Sequence, residues 1–284
     1  MSKLALGTVQ FGIRYGINNK SGKPTDVELE SILRLAKKAG IELLDSAQGY
    51  GDAEERLGKY SEYNFQIITK FKKLESEYPF HEELKESLKK LNTKCVYGYM
   101  AHDGDLLIEN PKWWQGLQEA KCHGIVKKIG YSLYSVNQLE SLLAKKMIPD
   151  LIQFPYNIFD QRFSPYMPEL VSLGVEIHTR SVYLQGLLQM NPTRLSNNLK
   201  LLKPNLIKLQ DIAIENNLSI SELCLSFALS NPFINKVVIG IDNAAQLSEN
   251  IYISQNDSLS NEVNRELLSI EVTELNLLNP SNWN

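Results

Sequence analysis

Cysteine is scarce in this sequence and does not pair. Cys95, Cys122 and Cys224 are odd in number and form no C-x-x-C. That argues against a disulfide-built scaffold or a redox dithiol, and the expectation is buried or inert thiols in a reducing compartment. No apolar run approaches the ~20 residues needed to span a bilayer. The first residues, MSKLALGTVQFG, lack the long apolar core and small-residue cleavage site of a signal peptide. The cytoplasm is the expected location, with no membrane association. An excess of one charge is also missing: 30 Lys and Arg against 33 Asp and Glu leave −3, which gives no footprint for a nucleic acid. The four histidines, His81, His102, His123 and His178, share no ligand spacing, and neither H-E-x-x-H nor a Walker motif occurs, so no metal is expected.

What is present is an ordinary folded composition, 43% hydrophobic and 22% charged, which speaks against disorder. At 284 residues the chain has room for one α/β barrel, which takes roughly 250. Short apolar runs ending in Gly or a polar residue read as strands at Leu4–Thr8, Ile41–Asp45, Phe65–Lys70, Cys95–His102, Lys127–Tyr131, Asp150–Phe154, Val175–Thr179 and Val237–Ile239. Helical spacing fills the intervals; Leu29, Ile32, Leu33 and Ala36 make one stripe, ending at Gly40. Ser181 to Pro204 has weak periodicity and reads as an irregular rim loop, and Asn261–Leu268 as an extra C-terminal helix outside the core. Strict alternation implies parallel strands with right-handed crossovers. The expected architecture is a single-domain α/β fold over residues 1–284, a (β/α)8 barrel. An open doubly wound sheet is the runner-up, disfavoured because no G-x-G-x-x-G follows the first strand.

A barrel places its active site at the carboxyl ends of its strands. Asp45, Lys70 and His102 end the second, third and fourth expected strands, and Tyr50 lies between two glycines in the loop after the second. Taken singly, an Asp–Lys pair reads as a structural ion pair, a loop tyrosine as a rim residue and a strand-end histidine as merely hydrogen-bonded. Four such groups at successive strand ends point to catalysis.

These residues carry a resemblance. LLDSAQGYGDAEERLG, IITKF and YMAHDGD, followed by IGYS, LIQFPYN and IGIDNAAQLSEN in order, resemble the aldo/keto reductases over essentially the whole chain. The resemblance implies NAD(P)H-dependent reduction of an aldehyde or ketone, sugar-derived or anionic, to an alcohol. Carbonyl reduction needs a proton on oxygen. A free tyrosine, with a pKa of about 10, gives it poorly. Lys70 is expected to lower that pKa as a neighbouring ammonium does, with Asp45 orienting Lys70 and His102 orienting the carbonyl.

The same resemblance implies nicotinamide contacts from Ser132 and Gln153. Leu133 stands where the family has an Asn. Gly240, Asn243, Gln246, Glu249 and Asn250 fall on positions that hold the adenosine phosphate. The members most selective for NADPH carry cations where this chain has Gly240 and Gln246, so the family prior of NADPH comes with weak discrimination and NADH is possible. Arg180 occupies the place of an aromatic that stacks on the nicotinamide. It is read as a cofactor contact, a substrate contact to an anion, or an arginine paired with a rim acid. Tyr134 and Phe159, after the fifth and sixth strands, are the leading candidates for a substrate lining, and Phe11, Tyr15, Tyr78, Phe80 and Trp113 are further ones. Trp283 either covers the pocket or frays. Two other readings remain: a Schiff-base aldolase using Lys70, and a non-catalytic, redox-sensing cofactor-binding module like the family's ion-channel subunits. The expected partner is a small carbonyl substrate, with a monomer or homodimer as the assembly.

Overall fold

Eight short segments in which every second residue suits an interior close into a ring. A computed structural model of the chain describes residues 2–17, 19, 22–72, 80–256 and 259–283. The strands are β1 (Leu4–Gly7), β2 (Leu43–Asp45), β3 (Gln66–Phe71), β4 (Val96–Ala101), β5 (Val126–Ser132), β6 (Leu151–Pro155), β7 (Glu176–Arg180) and β8 (Lys236–Gly240). They pair in parallel in chain order, and β8 returns to β1 to close the barrel, with Gly7 opposite both Asp45 and Gly240. The open-sheet alternative is thereby set aside.

Alternation along the strands sorts the interior into layers. Ala5, Leu43, Ile68, Met100, Leu151 and Val238 form one apolar cluster across six strands. Two residues further along stand Gly7, Asp45, Lys70, His102, Gln153 and Gly240. Of these, all but Lys70 line the main cavity. On the other side of the plug, at the strand starts, lies a polar knot. Glu176 accepts from Tyr97 Oη at 2.8 Å and from Lys128 Nζ through one oxygen, and from His178 Nε2 at 2.6 Å through the other. An apolar plug thus separates a polar rim from a polar base.

The surrounding helices are amphipathic for ordinary reasons. In Asp26–Lys38 the buried residues are Leu29, Ile32, Leu33 and Ala36; burying each of the larger three contributes roughly 1.5–3 kcal/mol. Thr25 caps its start by accepting from the Glu28 amide, and acids in the first turn with lysines in the last suit the helix dipole. Its end explains why β2 begins two residues later than expected. Gly40 is left-handed at φ +73°, and Ile41 N donates back to Ala36 O at 3.0 Å, so Ile41 closes the helix instead of joining the sheet.

After β7 the chain is irregular, as its composition suggested, with short 3-10 turns at Leu184–Gln189, Pro192–Arg194 and Asn197–Leu202. Ser181, Leu184 and Gln185 have φ of 64°, 46° and 55°, left-handed values that side chains disfavour. Val182, Leu184, Leu187 and Leu188 from this loop are buried in the core. The C-terminal helix Asn261–Leu268 buries Val263 and Leu267, and Val272 N donates to Phe159 O at 2.8 Å, tying the tail to the loop after β6.

Cys224 is buried, and burial pushes its thiol up; Cys95 and Cys122 are exposed, so of the expected buried or inert thiols only Cys224 is buried. No helix among the described residues is long and apolar enough to cross a membrane.

Candidate active site

The rim layer brings Asp45, Tyr50, Lys70 and His102 together. Lys70 is fully buried; its Nζ donates to Asp45 Oδ2 at 2.7 Å and to Ser46 O at 3.0 Å. Gln153 Nε2 donates to the other Asp45 oxygen at 2.9 Å. The carboxylate is therefore gripped from β3 and β6 at once. Lys70 Nζ lies 5.3 Å from the centroid of the Tyr50 ring, and that ring meets His102 edge to face at 5.5 Å and 83°.

Two glycines set the position of Tyr50. Its amide closes a turn onto Ala47 O at 3.0 Å, and its carbonyl accepts from Ala53 N, the first residue of the helix Ala53–Gly58. A Cβ on Gly12 would sit 1.6 Å from that same carbonyl oxygen, so only a glycine lets the loop after β1 lie against Tyr50. Gly51 is left-handed at φ +60°, and a Cβ there would come 2.6 Å from Gly12 O. Arg56 locks the two loops: it donates to Phe11 O at 2.6 Å and pairs with Asp26.

The electrostatics depart from expectation at one point. Burial holds the Tyr50 hydroxyl well above its ordinary pKa, the Asp45 charge adds to this, and Arg180 pulls in the other direction. The net shift is therefore upward, and Tyr50 is a fully protonated phenol at neutral pH. Burial lowers Lys70, while Asp45 opposes that through charge and hydrogen bond. Burial and then the Lys70 charge bring His102 down to about 4, so its ring is neutral at pH 7 and offers one N–H and one lone pair.

A cavity of about 480 Å³ opens over this layer. Ser132, Gln153, Tyr134 and Arg180 line one part; Gly240, Gln246, Glu249 and Asn250 line the part beside β8. Asn243 does not reach it; its side chain accepts from Gln246 N at 2.9 Å and caps the helix Ala244–Asn256. Leu133 is buried in the core, so the family's Asn position points away from the cavity. Phe159 is likewise fully buried and lines no part of it, because the turn after β6 is drawn inward: Asn157 accepts from the amides of Phe159 and Asp160 and donates to Ser181 O. Phe11 and Trp113 also lie off the cavity, Trp113 packing edge-on to Phe71. Tyr15 does line it, and Tyr78 lies outside the described residues. Trp283 turns onto its own segment, donating to Leu277 O at 3.0 Å, and does not cover the cavity.

The sequence reading missed Gln10, Asn19, Asp242 and Gln185, which also line the cavity. Gln10 and Asn19 sit in the Gly-rich stretch after β1, which signalled turns and nothing about what the turns face.

A family model described as the aldo/keto reductase family matches residues 3–271. The chain belongs to the aldo/keto reductase family. An uncharacterized oxidoreductase of Bacillus subtilis, YqkF, is 25% identical, with 95% of this chain and 96% of the relative covered. The L-glyceraldehyde 3-phosphate reductase of Escherichia coli K12 is 26% identical, covering 85% and 82%. The holo form of aldo-keto reductase AKR11C1 from Bacillus halodurans superposes with a TM-score of 0.78 over 96% of this chain and 94% of that one, at 20% identity, a likeness of fold. This aldo/keto reductase is an oxidoreductase. Carbonyl reduction with a nicotinamide nucleotide is its family's general chemistry.

Proposed function

We propose that the protein reduces an aldehyde or ketone to an alcohol with Tyr50 as the proton donor. The observation that carries this reading is the convergence of Tyr50, His102 and the buried Lys70–Asp45 pair at one end of the barrel cavity.

The donor set suits a nicotinamide dinucleotide. Ser132 and Gln153 offer polar atoms at the inner end, and Gly240 leaves the wall beside β8 low. Gln10 Oε1 is buried at the cavity wall with no hydrogen-bond partner among the described residues, an acceptor suited to a carboxamide or a ribose hydroxyl. When bound, the nicotinamide supplies the hydride, which no side chain can. Gly240, Gln246, Glu249 and Asn250 hold the adenosine end, with Asn243 shaping that segment as its cap. Among the lining residues beside β8, Asp242 and Glu249 are acids and none is a cation. We assign NADPH from the family, with little discrimination against NADH.

The side chains then divide the work. His102, neutral, donates its N–H to the carbonyl oxygen and fixes its direction. Tyr50 gives its proton to that oxygen as the carbon becomes tetrahedral, and the phenolate left behind is stabilised by the Lys70 ammonium. Asp45 keeps Lys70 charged, and Gln153 keeps Asp45 in place. A tyrosine pKa above the ordinary value keeps the acid loaded at rest. Lys70 acts on the phenolate, at the moment charge develops. The aldolase reading requires Lys70 to meet a carbonyl, yet its amine is fully buried and held by two acceptors.

The test is Tyr50→Phe. It removes one oxygen and should lower kcat for carbonyl reduction by about 10²–10⁴-fold while dinucleotide binding persists. Turnover near that of the wild type would reject Tyr50 as the acid.

A further inference from the structure

We infer that Arg180 is a receptor for an anionic group on the substrate, so that the carbonyl compound reduced here carries a carboxylate or a phosphate. This rests on the reductase reading above and specifies its substrate class.

The first observation is what Arg180 lacks compared with its neighbour on the rim. Arg162 forms a bidentate pair with the buried Asp160, both contacts at 2.7 Å, the geometry of a structural arginine. Arg180 ends β7 on the cavity wall, and no carboxylate lies within ion-pair distance of it among the described residues. Its guanidinium donates to Leu133 O at 3.0 Å and weakly to Ser181 Oγ at 3.4 Å. Neither acceptor neutralises it. A rim acid, the third reading from the sequence, is not what holds it.

The second observation is pre-organisation. The guanidinium lies over the Tyr134 ring at 4.5 Å. Tyr134 is itself held: its amide donates to Gln138 Oε1 at 2.8 Å, and Gln138 Nε2 donates to Asp103 Oδ1 at 2.6 Å, next to His102. Arg162 Nη1 adds a bond to Tyr134 O at 3.2 Å. An arginine resting over an aromatic whose backbone is held at both N–H and C=O keeps its remaining N–H groups available for a bidentate oxyanion.

The third observation is the charge of the cavity's inner end. Lys70 and Asp45 cancel as a pair, and His102 is neutral at pH 7. Arg180 is then the one charge lining that end with no opposite charge in contact, beside the tyrosine proton donor; Asp103, off the cavity, feels it only through space and already accepts from Gln138. Besides Asp45, the acids of the lining are Asp242 and Glu249, grouped with the residues that follow β8. At a half-buried position on the cavity wall, a guanidinium with no carboxylate in contact favours an anion over its neutral isostere.

The experiment compares matched carbonyl pairs in the holoenzyme: succinic semialdehyde with butanal, and glyceraldehyde 3-phosphate with glyceraldehyde. A wild-type preference for the anionic member of the first pair assigns carboxylate, and of the second, phosphate. Arg180→Met should reduce that preference in kcat/KM by about 10- to 100-fold, chiefly through KM, as loss of a charge-assisted hydrogen bond would. Arg180→Lys should restore part of it. Isothermal titration with succinate and with inorganic phosphate, neither of them reducible, gives a readout free of turnover, and binding should be present in Tyr50→Phe and weakened in Arg180→Met. Equal losses for charged and neutral members, or a fall in dinucleotide affinity that accounts for them, would overturn the assignment. If no carbonyl is turned over but Arg180-dependent anion binding persists, the reductase reading fails and the receptor stands. Turnover without any anion preference or anion binding sinks the receptor alone.

Discussion

Glu176→Gln tests the base of the barrel, where one carboxylate answers three donors. Burial alone would raise the pKa of Glu176; the hydrogen bond and charge of His178, then Lys128 and Tyr97, outweigh it and hold the carboxyl at about 2. An unfolded glutamate titrates at about 4.3, so the displacement is worth about 3 kcal/mol of folding free energy at pH 7. Solvent screening removes little of that, since the side chain is only 12% exposed. Glutamine keeps the shape but offers one acceptor oxygen, so it cannot serve both His178 and the Tyr97–Lys128 pair. His178 has no easy escape by changing tautomer, because its Nδ1 is buried without a partner. The variant should lose about 2–4 kcal/mol, and at about 2–4 °C per kcal/mol its Tm should fall by about 5–10 °C. The folded pKa lies below the unfolded one, so the stabilisation is complete above about pH 5 and fades as pH falls through about 2. By pH 3.5 the gap between the two proteins should shrink by about a third. Scanning calorimetry or urea unfolding across pH 7 to 3.5 measures this. A Tm change under about 1 °C at pH 7, or a gap that widens on acidification, would refute the argument.

Two further outcomes are expected. Gly12→Ala puts a methyl where the Tyr50 carbonyl stands, so kcat should drop about 10-fold or more, since small misplacements of a reacting group are costly; unchanged kcat would show that the close approach does not position Tyr50. With no cation among the lining residues beside β8, kcat/KM for NADPH and NADH should agree within about 10-fold, and a preference for either beyond about 100-fold would contradict the assigned adenosine end.

The barrel was legible because each strand repeats one message, an apolar run with a polar or glycine stop, and that message survives without tertiary information. The four candidate catalytic residues were legible for the same reason: Asp45, Lys70 and His102 stop successive apolar runs in the sequence, and Tyr50 sits between glycines just after the first of them. What escaped the sequence depends on direction and distance. Gln153 reaches Asp45 across the barrel, over 108 positions of chain. Phe159 has the composition of a pocket aromatic, but the Asn157 turn draws it into the core. Gln10 faces the cavity from a stretch whose glycines announce only a change of course. The tyrosine pKa was misjudged because proximity to an ammonium is visible in a strand pattern, whereas burial is not.

The loop after β7 carries an implication of its own. Ser181, Leu184 and Gln185 each hold a backbone conformation costing about 1–3 kcal/mol. The turn's own hydrogen bonds, Leu184 N to Ser181 O and Gly186 N to Tyr183 O, offset part of it; the rest of the compensation comes from Val182, Leu184, Leu187 and Leu188 seated in the core behind. The cavity wall that this loop forms is thus imposed from its far side. A substitution such as Leu187→Ala touches no ligand, yet it would loosen that wall and blur which substrates the enzyme accepts. On the proposed reductase reading, selectivity is inherited in part from hydrophobic residues that never see what is being selected.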